Sequence, residues 1–184
     1  MQIADGVSKV LYFRKLGDKT AATLVLQQEH SKSYKRERDA VITKAGKVFK
    51  KGELEDEISI KALQSTKDDA YKMLEKSIVD GDAIEVWEVD LSKKSSDSET
   101  EGKFQAEYRQ GYLTEWEATS PSEDDPTVEG TFVTFGTRQI GLVTVPEEDL
   151  KNGGVLGYAF HDMIASDIPK DGLATLPSEP SVGV

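Results

Sequence analysis

The chain has 184 residues, of which 37% are hydrophobic and 31% charged, and a length that fits one domain able to bury about 70% of its unfolded surface. It carries no cysteine, which excludes a disulfide scaffold, a thiolate zinc site and a thiol nucleophile. A formal net charge of −11 makes general nucleic-acid binding a poor reading, because the overall field repels phosphate.

No apolar run approaches the roughly 20 residues of a membrane helix, so no membrane contact is expected. Met1 to Val10 lacks a basic region followed by an apolar stretch, so no secretory signal is expected and synthesis places the chain in the cytoplasm. After a short polar arm, Val10 to Arg14 (VLYFR) reads as a first strand and Thr23 to Ser33 as a second. Glu53 to Leu63 alternates strictly, with Leu54, Ile58, Ile60 and Ala62 on one face and Glu53, Glu55, Glu57, Ser59 and Lys61 on the other. Thr66 to Gly81 carries Ala70, Met73, Leu74, Ser77 and Ile78 at helical spacing, with Thr66 and Asp69 as a capping-box variant, Asp68 four residues before Lys72, and Gly81 as the stop.

Further strands follow. Ala83 to Leu91 alternates, Lys103 to Arg109 puts Phe104, Ala106 and Tyr108 on one side, and Tyr112 to Thr119 puts Tyr112 and Trp116 opposite Leu113, Glu115 and Glu117. Thr127 to Phe135 and Gln139 to Val145 complete the set. Gln110-Gly111 and Gly136-Thr137-Arg138 read as hairpin turns, and 93–102 and 120–126 as longer polar loops. The sum is a mainly β, or α+β, domain with one helix on the sheet. The domain is expected over 1–146 with an arm at 1–9, and 147–184, acidic and carrying three of the prolines, reads as a C-terminal arm. Trp87, Trp116, Tyr12, Phe13, Phe104, Phe132 and Phe135 are expected in the core.

Charge is unevenly placed. Residues 32–51 hold Lys32, Lys35, Arg36, Arg38, Lys44, Lys47, Lys50 and Lys51 against two acids, a net +6, which leaves −17 elsewhere. Residues 82–129 carry 14 acids and 4 bases. The basic stretch, about 34–52, reads as a long loop that stays disordered in the free monomer and orders on a partner. A basic segment on an acidic chain favours contacts between copies.

No known catalytic motif is present, and the two histidines, His30 and His161, are far apart in sequence. The reading is therefore non-enzymatic, with no cofactor and no metal. Two other classes remain open: a monomeric β-sandwich module binding carbohydrate or peptide, and a small nucleic-acid-binding regulator using 32–51. A polar sheet face such as that of Glu53, Glu55 and Glu57 also suits the wall of an aqueous channel.

The order of the pieces carries a resemblance. LYFRKLG (Leu11 to Gly17) is followed by the long loop, and then by a helix (Lys67 to Asp82) running into AIEVWEVDL. After them come GKFQAEYRQGYLTEWE (Gly102 to Glu117), EGTFVTFGTRQIGLVTVP (Glu129 to Pro146) and GYAFHD (Gly157 to Asp162). Over about 10–162 the chain resembles the major tail proteins, or tail tube proteins, of long-tailed, non-contractile bacteriophages of Gram-positive hosts. The resemblance implies a structural virion protein with a β-sandwich fold, a flanking helix over about 66–80, and strands that join a large intersubunit barrel on hexamerisation. Stacked hexameric rings would form the tail tube through which genomic DNA enters the host. Implied partners are the chain itself, a tape measure protein inside the tube, tail terminator and distal tail proteins at its ends, and double-stranded DNA in transit. Implied location is the virion tail, after assembly in the host cytoplasm. No added immunoglobulin-like domain is expected. On that footing Lys32, Lys35, Arg36, Arg38, Lys44, Lys47, Lys50 and Lys51 would sit at contacts between subunits or rings, while Glu53, Glu55 and Glu57 would face the lumen, where acids do not hold DNA as lysines would.

Overall fold

The computed structural model describes residues 9–24, 26–65, 68–146 and 149–150. Of the two expected arms only Lys9, Asp149 and Leu150 fall within these; Thr66, His161 and the GYAFHD phrase lie outside them. The elements in chain order are β1 (Lys9–Lys15), β2 (Ala22–Thr23), β3 (Gln27–Arg36), β4 (Ala40–Thr43), β5 (Gly46–Phe49), β6 (Leu54–Leu63), α1 (Asp69–Asp80), β7 (Ile84–Lys94), β8 (Phe104–Thr119), β9 (Thr127–Thr134) and β10 (Gln139–Val143). Eight strands form one antiparallel sheet in the order β2-β1-β7-β8-β9-β6-β3, with β10 also on β8. Among the described residues, strands β4 and β5 pair only with each other.

The 16-residue β8 organises the sheet. Its first half, up to Gly111, lies between β7 and β10; its second half pairs with β9. The expected turn at Gln110-Gly111 is therefore absent, and the strand runs straight through. Gly111 is needed for a close approach instead. A Cβ there would stand 1.9 Å from the Val133 carbonyl oxygen. Nor does Gly136-Thr137-Arg138 make a hairpin: β9 and β10 follow one another along the same edge of β8, and these residues only interrupt the line. Phe135, expected in the core, sits at that interruption and is 80% exposed.

The two halves of the sheet fold over each other. Leu11, Phe13, Ile84 and Val86 of the first half meet Ile58, Ile60, Val128 and Phe132 of the second in one buried cluster. Helix α1 closes this sandwich by inserting Ala70 and Leu74. Its N-cap is Asp68, which accepts from the Tyr71 N–H at 3.1 Å, so the cap falls two residues later than the expected Thr66. Lys72 pairs with Asp69 at 3.5 Å. Gly81 ends the helix in the left-handed region, φ 73°, as its position predicts. A second cluster on the other face of β1 and β7 joins Val10, Tyr12, Val89, Phe104 and Ala106 to Val145.

Three further differences from the sequence reading have physical causes. The expected strand over Thr23 to Ser33 is split, because β2 pairs with β1 while β3 pairs with β6 in the other half. Between them Leu24 turns inward and is buried. The alternation of Tyr112 to Thr119 is reset by a register shift between Leu113 and Glu115. Leu113 and Trp116 thus both join the core, with Trp116 over Gly130, where a Cβ would stand 2.7 Å from its ring. Finally, the segment read as a disordered loop over 34–52 is built: β3 continues to Arg36 and the β4–β5 hairpin follows. The Gly52 N–H donates to the Glu37 carbonyl at 3.0 Å and closes the base of the hairpin.

Candidate functional site

Strands β3, β6, β9 and the second half of β8 present one outward face. Alternation alone decides what it shows, since every inward side chain on β6 and β9 is taken up by the core or its polar end. Ser31, Ser59, Thr131 and Glu115 lie side by side across the four strands. Glu29, Lys61, Glu129 and Glu117 form the adjacent row, and Ser33, Glu57, Val133 and Tyr112 the row on the other side. With Lys35 and Glu55 beyond, the face carries six glutamates and two lysines. Both lysines are neutralised locally: Lys61 Nζ reaches Glu129 at 2.6 Å and Lys35 Nζ reaches Glu55 at 3.3 Å. A shallow groove of about 600 Å³ runs between Glu29, Ser31, Ser59, Glu115 and Glu129. Both lateral margins of the face are open among the described residues: β3 pairs only with β6, and Tyr112 to Thr119 of β8 only with β9.

Behind the hairpin end of this face, the sandwich interior is polar. Arg109 of β8 is fully buried and its Nε lies 3.0 and 3.2 Å from the two Asp56 carboxylate oxygens. Its Nη2 donates to Tyr34 Oη at 2.6 Å and to Glu107 at 2.8 Å. Lys32 of β3 bridges Glu88 and Glu107, at 3.0 Å each. His30 Nε2 stands 3.6 Å from Glu88. Strand β3 has no backbone pairing with β7 or the first half of β8, so these side chains tie the free strand to the opposite half of the sheet. Burial pushes the Glu88 carboxyl up, but His30 and Lys32 more than offset this and hold its pKa at about 2. Burial disfavours the Arg109 charge, yet the hydrogen bond to Glu107 and the field of Asp56 raise its pKa above the usual value.

The β4–β5 hairpin stands away from the body. Residues 40–52 carry Lys44, Lys47, Lys50 and Lys51 and no acid. Ile42, Val48 and Phe49 are 86%, 53% and 56% exposed. Lys47 Nζ lies 5.3 Å from the Phe49 ring centre.

Residues 3–139 match the family model described as phage tail tube protein. The chain belongs to the phage tail tube protein family. Over 162 residues it is 30% identical to a tail protein of Staphylococcus phage phiMR25, covering 86% of this chain and 82% of that one. Its fold is similar to the SPP1 tail tube structure, with TM-score 0.67 and 18% identity over 85% of this chain and 90% of that chain. It is also similar to the tail of an empty gene transfer agent particle, solved with C6 symmetry, with TM-score 0.59 and 12% identity over 76% and 99%. The family and these likenesses establish a structural role in a tail tube and a sheet-rich tail-tube fold.

Within this family member the acids expected at the lumen lie together: Glu55 and Glu57 are on the polar face, and Glu53 immediately precedes its strand. The eight basic residues do not share one environment. Lys32 belongs to the ion-pair network with Glu88 and Glu107, with 21% of its side chain exposed. Lys35 lies on the acidic face, bound to Glu55. Arg36 donates to the Gly52 carbonyl at 3.0 Å and braces the hairpin base. Only Arg38, Lys44, Lys47, Lys50 and Lys51 remain as exposed hairpin cations. Trp116 packs in the core and Trp87 lies against Tyr108 and Arg14, so neither offers the exposed platform that a carbohydrate-binding module needs. The sequence reading missed Arg109 and Asp56. Only Asp56 carried a signal: it occupies the apolar phase of the Leu54–Leu63 alternation.

Proposed function

We propose that six copies of this chain close into a ring through the two open margins of the polar face, so that the face lines the bore. The observation that carries the reading is the register itself. It aligns hydroxyls and carboxylates over four strands, leaves no unpaired cation among them and, among the described residues, stops at a free strand edge on each side. Free edges invite pairing, and ring closure consumes them. Six such faces, with strands about 4.8 Å apart, make a cylinder about 37 Å across between backbones before strand tilt widens it. Such a wall gives a passing polyanion no counterion-releasing contact, so double-stranded DNA slides through and is not held. The role is structural, with no catalytic step and no cofactor. The rings stack into the tube, which holds a tape measure protein before DNA delivery and meets a tail terminator and distal tail proteins at its ends. Assembly takes place in the host cytoplasm. The basic hairpin contacts neighbouring copies.

The test is to concentrate the purified protein, image it by negative stain, and reconstruct any tubes by cryo-EM. Sixfold rings with Glu55 and Glu57 toward the bore are expected. A tube with this face outward, or with Lys44 and Lys47 in the channel, would refute the assignment.

A further inference from the structure

The strand directions give the subunit two unlike poles. In the β8-β9-β6-β3 face the β3–β6 connection, residues 37–53, leaves from the end marked by Arg36 and Leu54. The β8–β9 connection, residues 120–126, leaves from the opposite end, where Leu63, Thr127 and Thr119 lie side by side. The first pole is the hairpin, with four lysines and no acid over 40–52. The second is SPSEDDP, with Glu123, Asp124 and Asp125 and no base, exposed throughout. The Gln64 N–H donates to the Pro126 carbonyl at 2.8 Å and fixes this loop beside the start of α1, where Asp69 adds a further acid. The other long loop, residues 95–103, carries Lys103 against Asp97, Glu99 and Glu101, a net −2, but it enters β8 at Phe104, the end away from the 120–126 loop. None of Lys44, Lys50, Lys51, Glu123, Asp124 and Asp125 has an ion-pair partner among the described residues.

We infer that the β4–β5 hairpin of one copy docks on the 120–126 loop of the copy stacked above or below it. The inference rests on the tube reading and names the acceptor within it. A lone two-stranded hairpin is marginal in water, and this one exposes Ile42, Val48 and Phe49, so it gains by being covered. Opposite charges at opposite ends of one subunit make a head-to-tail contact that repeats without limit along an axis. Because the pairs are exposed, the contact is set mainly by electrostatic steering and weakens with salt.

The test combines charge reversal with cross-linking. One variant carries Lys44→Glu, Lys47→Glu, Lys50→Glu and Lys51→Glu; a second carries Glu123→Lys, Asp124→Lys and Asp125→Lys; a third carries both sets. Each reversal alone is expected to cut tube yield at least tenfold, with circular dichroism unchanged, and the combined variant is expected to restore tubes. Since the chain has no cysteine, Lys47→Cys with Asp124→Cys should give a ladder of disulfide-linked multimers when assembled tubes are oxidised. Wild-type tubes accompanied by undiminished tubes from either reversal, or by no rescue in the combined variant and no ladder, overturn the docking site and leave the tube reading intact. Wild-type protein that forms no rings or tubes at any concentration overturns both.

Discussion

Arg109 offers the most demanding test of how the sheet halves are joined. Its side chain is 0% exposed and that of Asp56 1% exposed, with Nε 3.0 Å from the nearer carboxylate oxygen. Arg109→Ala strands the Asp56 charge in the interior and removes the donor to Tyr34 and Glu107. Breaking one side of a buried pair costs about 3–5 kcal/mol. At about 2–4 °C per kcal/mol for a chain this long, the midpoint should fall by about 6–20 °C. Removing both partners is a different perturbation. Arg109→Met with Asp56→Leu leaves no orphaned charge at either position, while Glu107 keeps Lys32, so most of the loss should return. The assay is thermal and urea unfolding at low protein concentration, which keeps assembly out of the equilibrium, followed through the fluorescence of the partly buried Trp87 and Trp116. A cycle over the four proteins should give a coupling of about 2–3 kcal/mol. A single variant that loses less than about 1 kcal/mol, or a double variant as unstable as the sum of the singles, would refute the reasoning.

Acid should loosen the same junction. Glu88 has a folded pKa of about 2, below its ordinary 4.5, so its contribution is complete above the unfolded value and is lost as pH falls from about 4.5 to 2. Lys32→Met removes a source of that depression and should raise the pH midpoint of acid unfolding, as followed by circular dichroism; an unchanged midpoint would show that Lys32 does not hold the carboxylate. Gly111→Ala forces β8 and β9 apart and should cost at least about 1–3 kcal/mol in urea melts, with full stability counting against the close approach at Val133. Glu55→Lys with Glu57→Lys adds four positive charge units per subunit to the polar face. Tubes of this variant should retain short duplex DNA in sedimentation with a steep salt dependence, and wild-type tubes should not; equal retention by both would place the face away from the bore.

Much of this fold is written in alternation. The β6 pattern predicts its buried row, Ile58, Ile60 and Ala62, and its outward row, Glu55, Glu57, Ser59 and Lys61. The helix face and its Gly81 stop are equally plain. What alternation cannot reveal is whether a polar row faces water or another part of the chain. Gln105, Glu107 and Arg109 alternate with the row of Phe104, Ala106 and Tyr108, yet Arg109 is interior because the sheet folds back over it. The register shift after Leu113 leaves no mark in composition, and it moves Trp116 to the other face. Gly111 resembles a turn residue because close backbone approach and sharp turning both select glycine; only the partner strand decides which applies. The basic run looked disordered on charge alone, since its short hairpin pattern, AVIT and GKVF, has only four residues on each side.

The polar junction and the open margins belong to one problem. A ring forms by a heterologous contact, and it closes only when the rotation between successive copies has the right value. In the proposed ring that rotation would be set by the angle between the two margins of the subunit, one on β3 and the other on the second half of β8. Backbone pairing joins them through β6 and β9, but a sheet of four strands twists by a variable amount at each step. An apolar contact between β3 and the opposite sheet half would slide at little cost. Lys32 and Tyr34 instead end β3 on two fixed points, the Glu88–Glu107 pair and the Arg109 guanidinium. Hydrogen bonds have narrow distance and angle ranges, so these contacts hold β3 at a defined distance from the opposite half of the sheet. In the proposed ring these interior charges would set the angle at which the polar face curves, and the Arg109→Met, Asp56→Leu protein tests this: it should recover stability while losing the Arg109 anchor of β3.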